Sequence, residues 1–274
     1  MLHCKNLSPL SSTLLLLGSI TLLNGLTIGQ LGLSVDEAHY ALYGKNIALS
    51  YFDHPPMVGW LQAFVQLFSE SDVALRLWPI CLNLLISASL YQLTKAIFPH
   101  HTAWLPFVSV VLMQSSLTFH VLSIALLPQS PFLLFGLWSI IFFNKILRSK
   151  KTTDFILLGV SLGLAGLSEY TAILLVTAGL TFVFFNHKEL LFSYQLMVSL
   201  LIAGLITTPV FYWNAQNGWV SLSYQANHVA HGQSWSLLKC LISTLTQSLT
   251  YSPVVYIVGL IDIGADFWTK KRYF

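Results

Sequence analysis

Apolar residues run along this chain in long unbroken stretches and do not alternate with polar ones. Phe132–Leu133–Leu134–Phe135 and Leu174–Leu175–Val176 have no polar face at all. Strands spanning a membrane would show a dyad repeat over segments of about ten residues, which is missing, so the stretches read as helices. A helix needs roughly 20 apolar residues to cross the hydrocarbon core. Runs near that length predict spans at 10–31, 77–98, 103–123, 131–147, 153–168, 170–186, 194–213 and 238–262. The predicted fold class is all-α: a polytopic transmembrane helical bundle of about eight spans, with residues 1–274 forming a single membrane domain. Interfacial helices are expected in a first outer loop, 32–76, and a last outer loop covers 214–237. The fifth and sixth spans are short and contain glycine, and they can also be read as one bent hairpin with its tip at Ser168–Glu169–Tyr170. The first run follows Lys5 like the core of a leader peptide, but no A-x-A-like site comes after it, which favours a retained span.

Composition agrees with this pattern. Only 8% of residues are charged, against about 25% in a soluble domain, too few to build a water-facing surface. Cys4, Cys81 and Cys240 are an odd, scattered set that suggests neither a disulfide framework nor a zinc motif. The net charge of +3 is too small to imply nucleic acid, and its distribution is more useful than its sum. Lys5, Lys95, Lys145, Arg148, Lys150, Lys151, Lys188 and the terminal Lys270, Lys271 and Arg272 all fall on one side of the eight-span arrangement. Positive residues collect in the cytoplasm. Both termini are therefore expected on the cytoplasmic side of the membrane. The opposite side receives Asp36, Glu37, Asp53, Glu70 and Asp72, half of the 10 acidic residues, within the first outer loop. That acidic, aromatic side is where a site is expected.

Ser34–Val35–Asp36–Glu37 fits a capping box, with Ser34 as N-cap and Glu37 reaching back to it, and Asp36 suits the positive end of the helix dipole. The helix that follows, to about Leu49, mixes Leu42 and Ile47 with Tyr40 and Tyr43 and suits the membrane interface. There a carboxylate can meet both a lipid-borne phosphate ester and a water-borne acceptor. Pro55–Pro56 forbids helix before it and permits one after. Asp53 and His54 then lie at a rigid turn, either as a helix cap or as a pair able to hold a divalent metal or contact phosphate. A straight helix of about 14 residues would keep Asp36 and Asp53 roughly 20 Å apart, so only a reversal of the chain can join them.

Ser34-Val-Asp-Glu-Ala-His-Tyr40 followed by Leu49-Ser-Tyr-Phe-Asp-His-Pro-Pro-Met-Val-Gly-Trp60 resembles the first periplasmic loop of family 39 glycosyltransferases. These are the dolichyl-phosphate-mannose–protein mannosyltransferase-like enzymes of the GT-C superfamily, which include lipid A aminoarabinose transferases. Leu167-Ser-Glu-Tyr170, Pro209-Val-Phe-Tyr-Trp213 and Tyr224-Gln-Ala-Asn-His228 match in the same order. The resemblance implies an inverting transfer of sugar from a polyprenyl-phosphate-linked donor to a lipid or glycan acceptor outside the cytoplasm, among membrane lipids. It casts Asp36 as general base beside Glu37, Asp53 as a divalent-metal contact, and His54 and Tyr40 as contacts to the carrier phosphate. His228, with Tyr224 one turn before it, is implied as a second metal or phosphate contact. A divalent metal is the one cofactor implied.

Three departures support another reading. Leu127-Pro-Gln-Ser-Pro131 carries Gln129 where relatives carry an aspartate, and an amide serves neither as base nor as strong metal ligand. Ser168-Glu169-Tyr170 carries an anion where relatives carry lysine. The chain also stops after the eighth span, where relatives continue with further spans and a soluble outer domain. The alternative is a truncated or degenerate paralogue that binds a lipid-phosphate sugar or another membrane subunit without transferring anything. A transporter would be favoured by an internal repeat, and the chain shows no clear one.

Overall fold

The structure, a computed structural model, describes residues 7–230, 236–257 and 259. Every regular element among the described residues is a helix. α1 (Pro9–Thr27) leads into three helices at one end of the bundle, α2 (Val35–Lys45), α3 (Met57–Gln66) and α4 (Asp72–Leu75). α5 (Leu77–Ile97) crosses back, followed by α6 (Leu105–Gln114), α7 (Leu117–Leu122), α8 (Gln129–Ser149), α9 (Thr152–Ser168) and α10 (Ala172–Asn186). α11 (Lys188–Leu191), α12 (Tyr194–Gln216), α13 (Val220–Ala230) and α14 (Leu237–Tyr251) complete the order.

Four segments are long and apolar enough to cross a membrane: α1, Asp72–Ile97, α8 and α12; α6, α9 and α10 are apolar but shorter. The chain is a polytopic helical membrane protein. The predicted third span is broken, because Ser116 turns its hydroxyl to the Phe119 N–H and caps α7 in place of continuing α6. The predicted eighth span is interrupted at Ser252, whose φ of 118° is incompatible with a helix; the chain is helical again over 253–257, and residues 258 and 260–262 of that span lie outside the described residues. The helix expected to reach Leu49 stops at Lys45, where Asn46 leaves the helical region at φ −123°, ψ 68°. α9 and α10 are separate helices, and α9 is held chiefly between α8 and α12.

That sandwich depends on side chains that are absent. Gly159, Gly163 and Gly166 recur at i, i+4 and i+7 on α9, and a Cβ on them would lie 2.5 Å from the Ser199 carbonyl oxygen, 2.6 Å from Ile206 Cβ and 2.6 Å from Thr207 Cγ2 of α12. Helices in lipid gain little from the hydrophobic effect, so close backbone approach of this kind holds them. At the same crossing Ser199 donates to the Phe155 carbonyl at 2.5 Å. Gly159→Ala is expected to lower the thermal stability of the detergent-solubilised protein by about 1–3 kcal/mol through overpacking. Gly179→Ala on α10 is the control, because its Cβ would meet nothing and alanine favours a helix by about 1 kcal/mol. Equal behaviour of the two variants would refute the close crossing.

The segment 32–76 is anchored to the bundle by an apolar cluster that joins Tyr40, Val58, Leu82, Ile86, Phe119 and Leu134. Trp78 adds a hydrogen bond from its indole to the Leu61 carbonyl at 2.7 Å. α2 and α3 therefore sit as a rigid cap on one end of the bundle.

Candidate functional site

α2 begins as the sequence predicts. The Glu37 N–H donates to Ser34 Oγ, and Glu37 Oε2 accepts from the Ser34 N–H at 2.9 Å, so both halves of the capping box are present. Glu37 has a second engagement. Arg76 donates from Nε to Oε1 at 2.6 Å and from Nη2 to Oε2 at 2.9 Å, with both side chains buried. The remaining Arg76 donors reach the carbonyls of Ile28, Leu31 and Gly32 at 2.6, 2.7 and 3.0 Å. Burial alone would raise the Glu37 pKa, but the bonds from Arg76 and Ser34 outweigh it and hold the carboxyl below its ordinary value. Glu37 thus fixes the start of α2 to the end of α1 and the start of α5, and Asp36 is left on the exposed side of the same turn. Asp36 makes no hydrogen bond or ion pair with any described residue.

The reversal that alone can bring Asp53 toward Asp36 is present. After Asn46 the chain doubles back, and the Tyr51 ring stacks on Tyr43 at 3.7 Å and 2° while its hydroxyl donates to the Tyr43 carbonyl at 2.9 Å. Trp60 secures the far side of the turn by donating from its indole to the Ala48 carbonyl at 2.9 Å. Asp53 is returned to the face of α2 that carries His39, one turn beyond Asp36. Tyr43 donates its hydroxyl to Asp53 Oδ1 in a short bond, and Asp53 Oδ2 faces His39 Nε2 at 3.4 Å and His54 Nε2 at 3.9 Å. Asp53 is not a helix cap: α3 starts behind Pro56, with no side-chain cap. Burial, then the bond to Asp53, raises the Tyr43 pKa and keeps the phenol protonated. Burial lowers His54 against the pull of the Asp53 charge, so its imidazole is held neutral more readily than a free one.

Tyr40 marks where the carboxylates converge. Burial first, then the charges of Asp53, Asp36 and Glu169, push its phenol well above the usual range. Glu169 arrives from the turn between α9 and α10. It is 9% exposed, no described residue hydrogen-bonds its carboxyl, and burial pushes it up to about 7. Its neighbour Tyr170 joins two loops, with its hydroxyl 3.3 Å from Ser50 Oγ and in a short bond with Ser221 Oγ. From α13, Gln225 donates to the Asp53 carbonyl at 2.7 Å and Tyr224 rests its ring on Phe52 at 4.6 Å. The backbone of His228 lies on α13, while its side chain and the whole of His231 fall outside the described residues. Gln129 is exposed at the start of α8.

Asp36, Asp53, His54, Tyr40 and Tyr224 therefore meet at one end of the bundle, while Glu37 faces inward. His39, Tyr43, Arg76, Tyr170 and Gln225 also belong to the site and are not among the residues picked out from the sequence. Two of them left a signal there: His39 is one helical turn from Asp36, and Arg76 is a cation where the acidic loop meets a span. The resemblance implies a divalent metal at Asp53 and His228, of which the His228 side chain lies outside the described residues. Among the described residues no group of three histidine, cysteine, aspartate or glutamate side chains is placed to hold one, and both Asp53 oxygens already face protein partners.

The family described as dolichyl-phosphate-mannose-protein mannosyltransferase matches residues 53–213, more than half of the chain. The chain belongs to this family. This is a GT-C glycosyltransferase family, and the matched stretch takes in Asp53, Tyr170, α9 and α10. Lipid A galacturonosyltransferase RgtD of Rhizobium johnstonii is 22% identical to it over 97% of the chain. The chain spans about half the length of that relative, 55%. No solved structure matches.

Proposed function

We propose that this chain transfers a sugar from a polyprenyl-phosphate carrier to a lipid or glycan acceptor at the non-cytoplasmic face of the bacterial inner membrane, with both termini in the cytoplasm. The observation that carries this reading is the reversal at 46–54, which sets Asp53, His39 and His54 on the same face as an Asp36 that no described residue hydrogen-bonds or pairs with. The excess of lysine and arginine on the opposite side supports the orientation. A relative named for lipid A supports a glycolipid acceptor.

In this mechanism Asp36 takes the proton of the acceptor hydroxyl. The acceptor oxygen attacks the anomeric carbon from the face opposite the phosphate, the carbon–oxygen bond to phosphate breaks, and the carrier phosphate leaves with that electron pair. Inversion follows from the single displacement. Tyr40 and His54, with His39 beside them, contact the carrier phosphate. Asp53 orients both imidazoles, and Glu37 positions Asp36 through the capping box. Tyr224 on α13, whose ring rests on Phe52 beside the turn, is a further contact to the carrier phosphate. No step uses a metal, because the described donors do not make a site for one.

A second reading rests on Glu169 and Gln129, which put an anion and an amide where relatives of this family carry a cation and a carboxylate. A protein so altered binds the lipid-linked sugar without transferring it. Sugar transfer from a synthetic polyprenyl-phosphate donor separates the two. Wild-type protein is expected to turn over, and Asp36→Asn to lose about 10²–10⁴-fold. Undiminished transfer by Asp36→Asn would remove Asp36 as base. Donor binding by wild-type protein without any transfer would select the second reading.

A further inference from the structure

Between α10 and α12 a groove of about 300 Å³ runs along the bundle. Its walls are apolar, with Val176, Leu200, Ala203 and Val210 among them, and Ile173 and Phe211 at its edge are more than half exposed, so it opens sideways to the surrounding lipid. It is closed at the loop end by Glu169 and Tyr170. Glu169 is more than nine-tenths buried, no described residue hydrogen-bonds or pairs with its carboxyl, and it lines this cavity. A desolvated carboxyl without a partner is costly wherever it occurs. Among the described residues, the lysine and arginine at this end are committed elsewhere: Arg76 to Glu37, and Lys45 to Glu70 at 2.7 Å. The other charged groups near this end, Asp36 and Asp53, carry the same sign.

We infer that the groove between α10 and α12 binds an aminophospholipid, with one acyl chain along the apolar walls and the primary ammonium group on the Glu169 carboxylate. The argument is charge complementarity. The groove selects a long hydrocarbon chain, and its closed end lacks a counter-ion that carries N–H donors. An ammonium with three donors satisfies a desolvated carboxylate, whereas a trimethylated one brings charge without hydrogen bonds. A headgroup with no cation leaves the Glu169 carboxyl without a counter-ion. Burial pushes Glu169 up to about 7, as expected of a carboxyl with no counter-ion, and an ammonium in contact restores the ionised form. The inference does not depend on sugar transfer.

The test uses the full chain in nanodiscs of equal parts phosphatidylethanolamine, phosphatidylcholine and phosphatidylglycerol, with retained lipid read by native mass spectrometry after release into detergent. Wild-type protein is expected to retain phosphatidylethanolamine over phosphatidylcholine by about tenfold. Glu169→Gln keeps the side-chain shape, and in it that preference is expected to vanish. Gly204→Leu fills the groove, because a Cβ there meets only open space, and is expected to lose retained lipid of every class. Thermal unfolding in the same detergent shows whether each variant is folded, and if Glu169→Gln is not, Gly204→Leu decides the location. Equal retention of the ethanolamine and choline lipids would overturn the inference, as would a preference for phosphatidylglycerol. Survival of the ethanolamine preference in folded Glu169→Gln, or full retention in Gly204→Leu, would do the same.

Discussion

Arg76→Met is expected to cost about 3–5 kcal/mol of stability, the usual result of removing one partner from a buried ion pair. Glu37 would be left desolvated and unpaired, and the carbonyls of Ile28, Leu31 and Gly32 would lose the donors that satisfy them. The damage would not be spread evenly. The guanidinium is the tie between the end of α1, the first turn of α2 and the start of α5, so α2 should detach from the bundle before the crossing of α9 and α12 loosens. Proteolysis within 32–56 should accelerate while the rest of the chain stays protected. The double variant Glu37→Met/Arg76→Met removes the stranded charge and is expected to recover part of the loss, with the three carbonyls accounting for the remainder. A double variant no more stable than the single one would place the energy in the carbonyl bonds and not in the ion pair.

Glu169 is the second large lever, and its sign opposes that of Glu37. Its folded-state pKa is raised, to about 7 from an ordinary 4.5, so the folded protein holds a proton that the unfolded chain releases. The associated stability is complete below pH 4.5 and is lost as pH rises through about 7. At about 1.4 kcal/mol for each pH unit in that window, the loss approaches 3 kcal/mol. Glutamine cannot titrate. In delipidated protein the thermal midpoint of the wild type is therefore expected to fall between pH 4.5 and pH 8, while that of Glu169→Gln stays level. Parallel profiles for the two proteins would mean that the carboxyl is hydrated and not buried.

The spans were legible in the sequence because a bilayer imposes a length and an apolar composition on anything that crosses it, and local residue counts carry both. The breaks were not. Serine is tolerated in apolar helices, and nothing local says that Ser116 will turn its hydroxyl to the backbone and begin α7. The start of α2 was legible down to the reciprocal bonds of the capping box, because both partners lie within four residues. Its end was not, because Asn46 stops the helix together with a turn whose shape depends on Tyr51 lying flat on Tyr43. The approach of Asp53 to His39 follows from that stacking, so Asp36 and Asp53 could be named from the sequence but not joined. Glu37 shows the limit most clearly. Its capping bond is local and was foreseen, while its pairing with Arg76 spans 39 residues and turns it inward.

The bond from Gln225 to the Asp53 carbonyl joins residues 172 positions apart, and this gives the site an order in time. The turn at 46–54 reaches its side of the membrane early in synthesis, when little more than α1 is in place. Its clamp is made only after α12 has crossed and α13 has folded back over the end of the bundle. Until then Asp53 has its tyrosine and histidine neighbours but no lid, and Tyr170 has Ser50 but not Ser221. The nascent protein thus passes through a long interval in which its acidic turn is shaped but still open, and a helix made near the end of synthesis closes it.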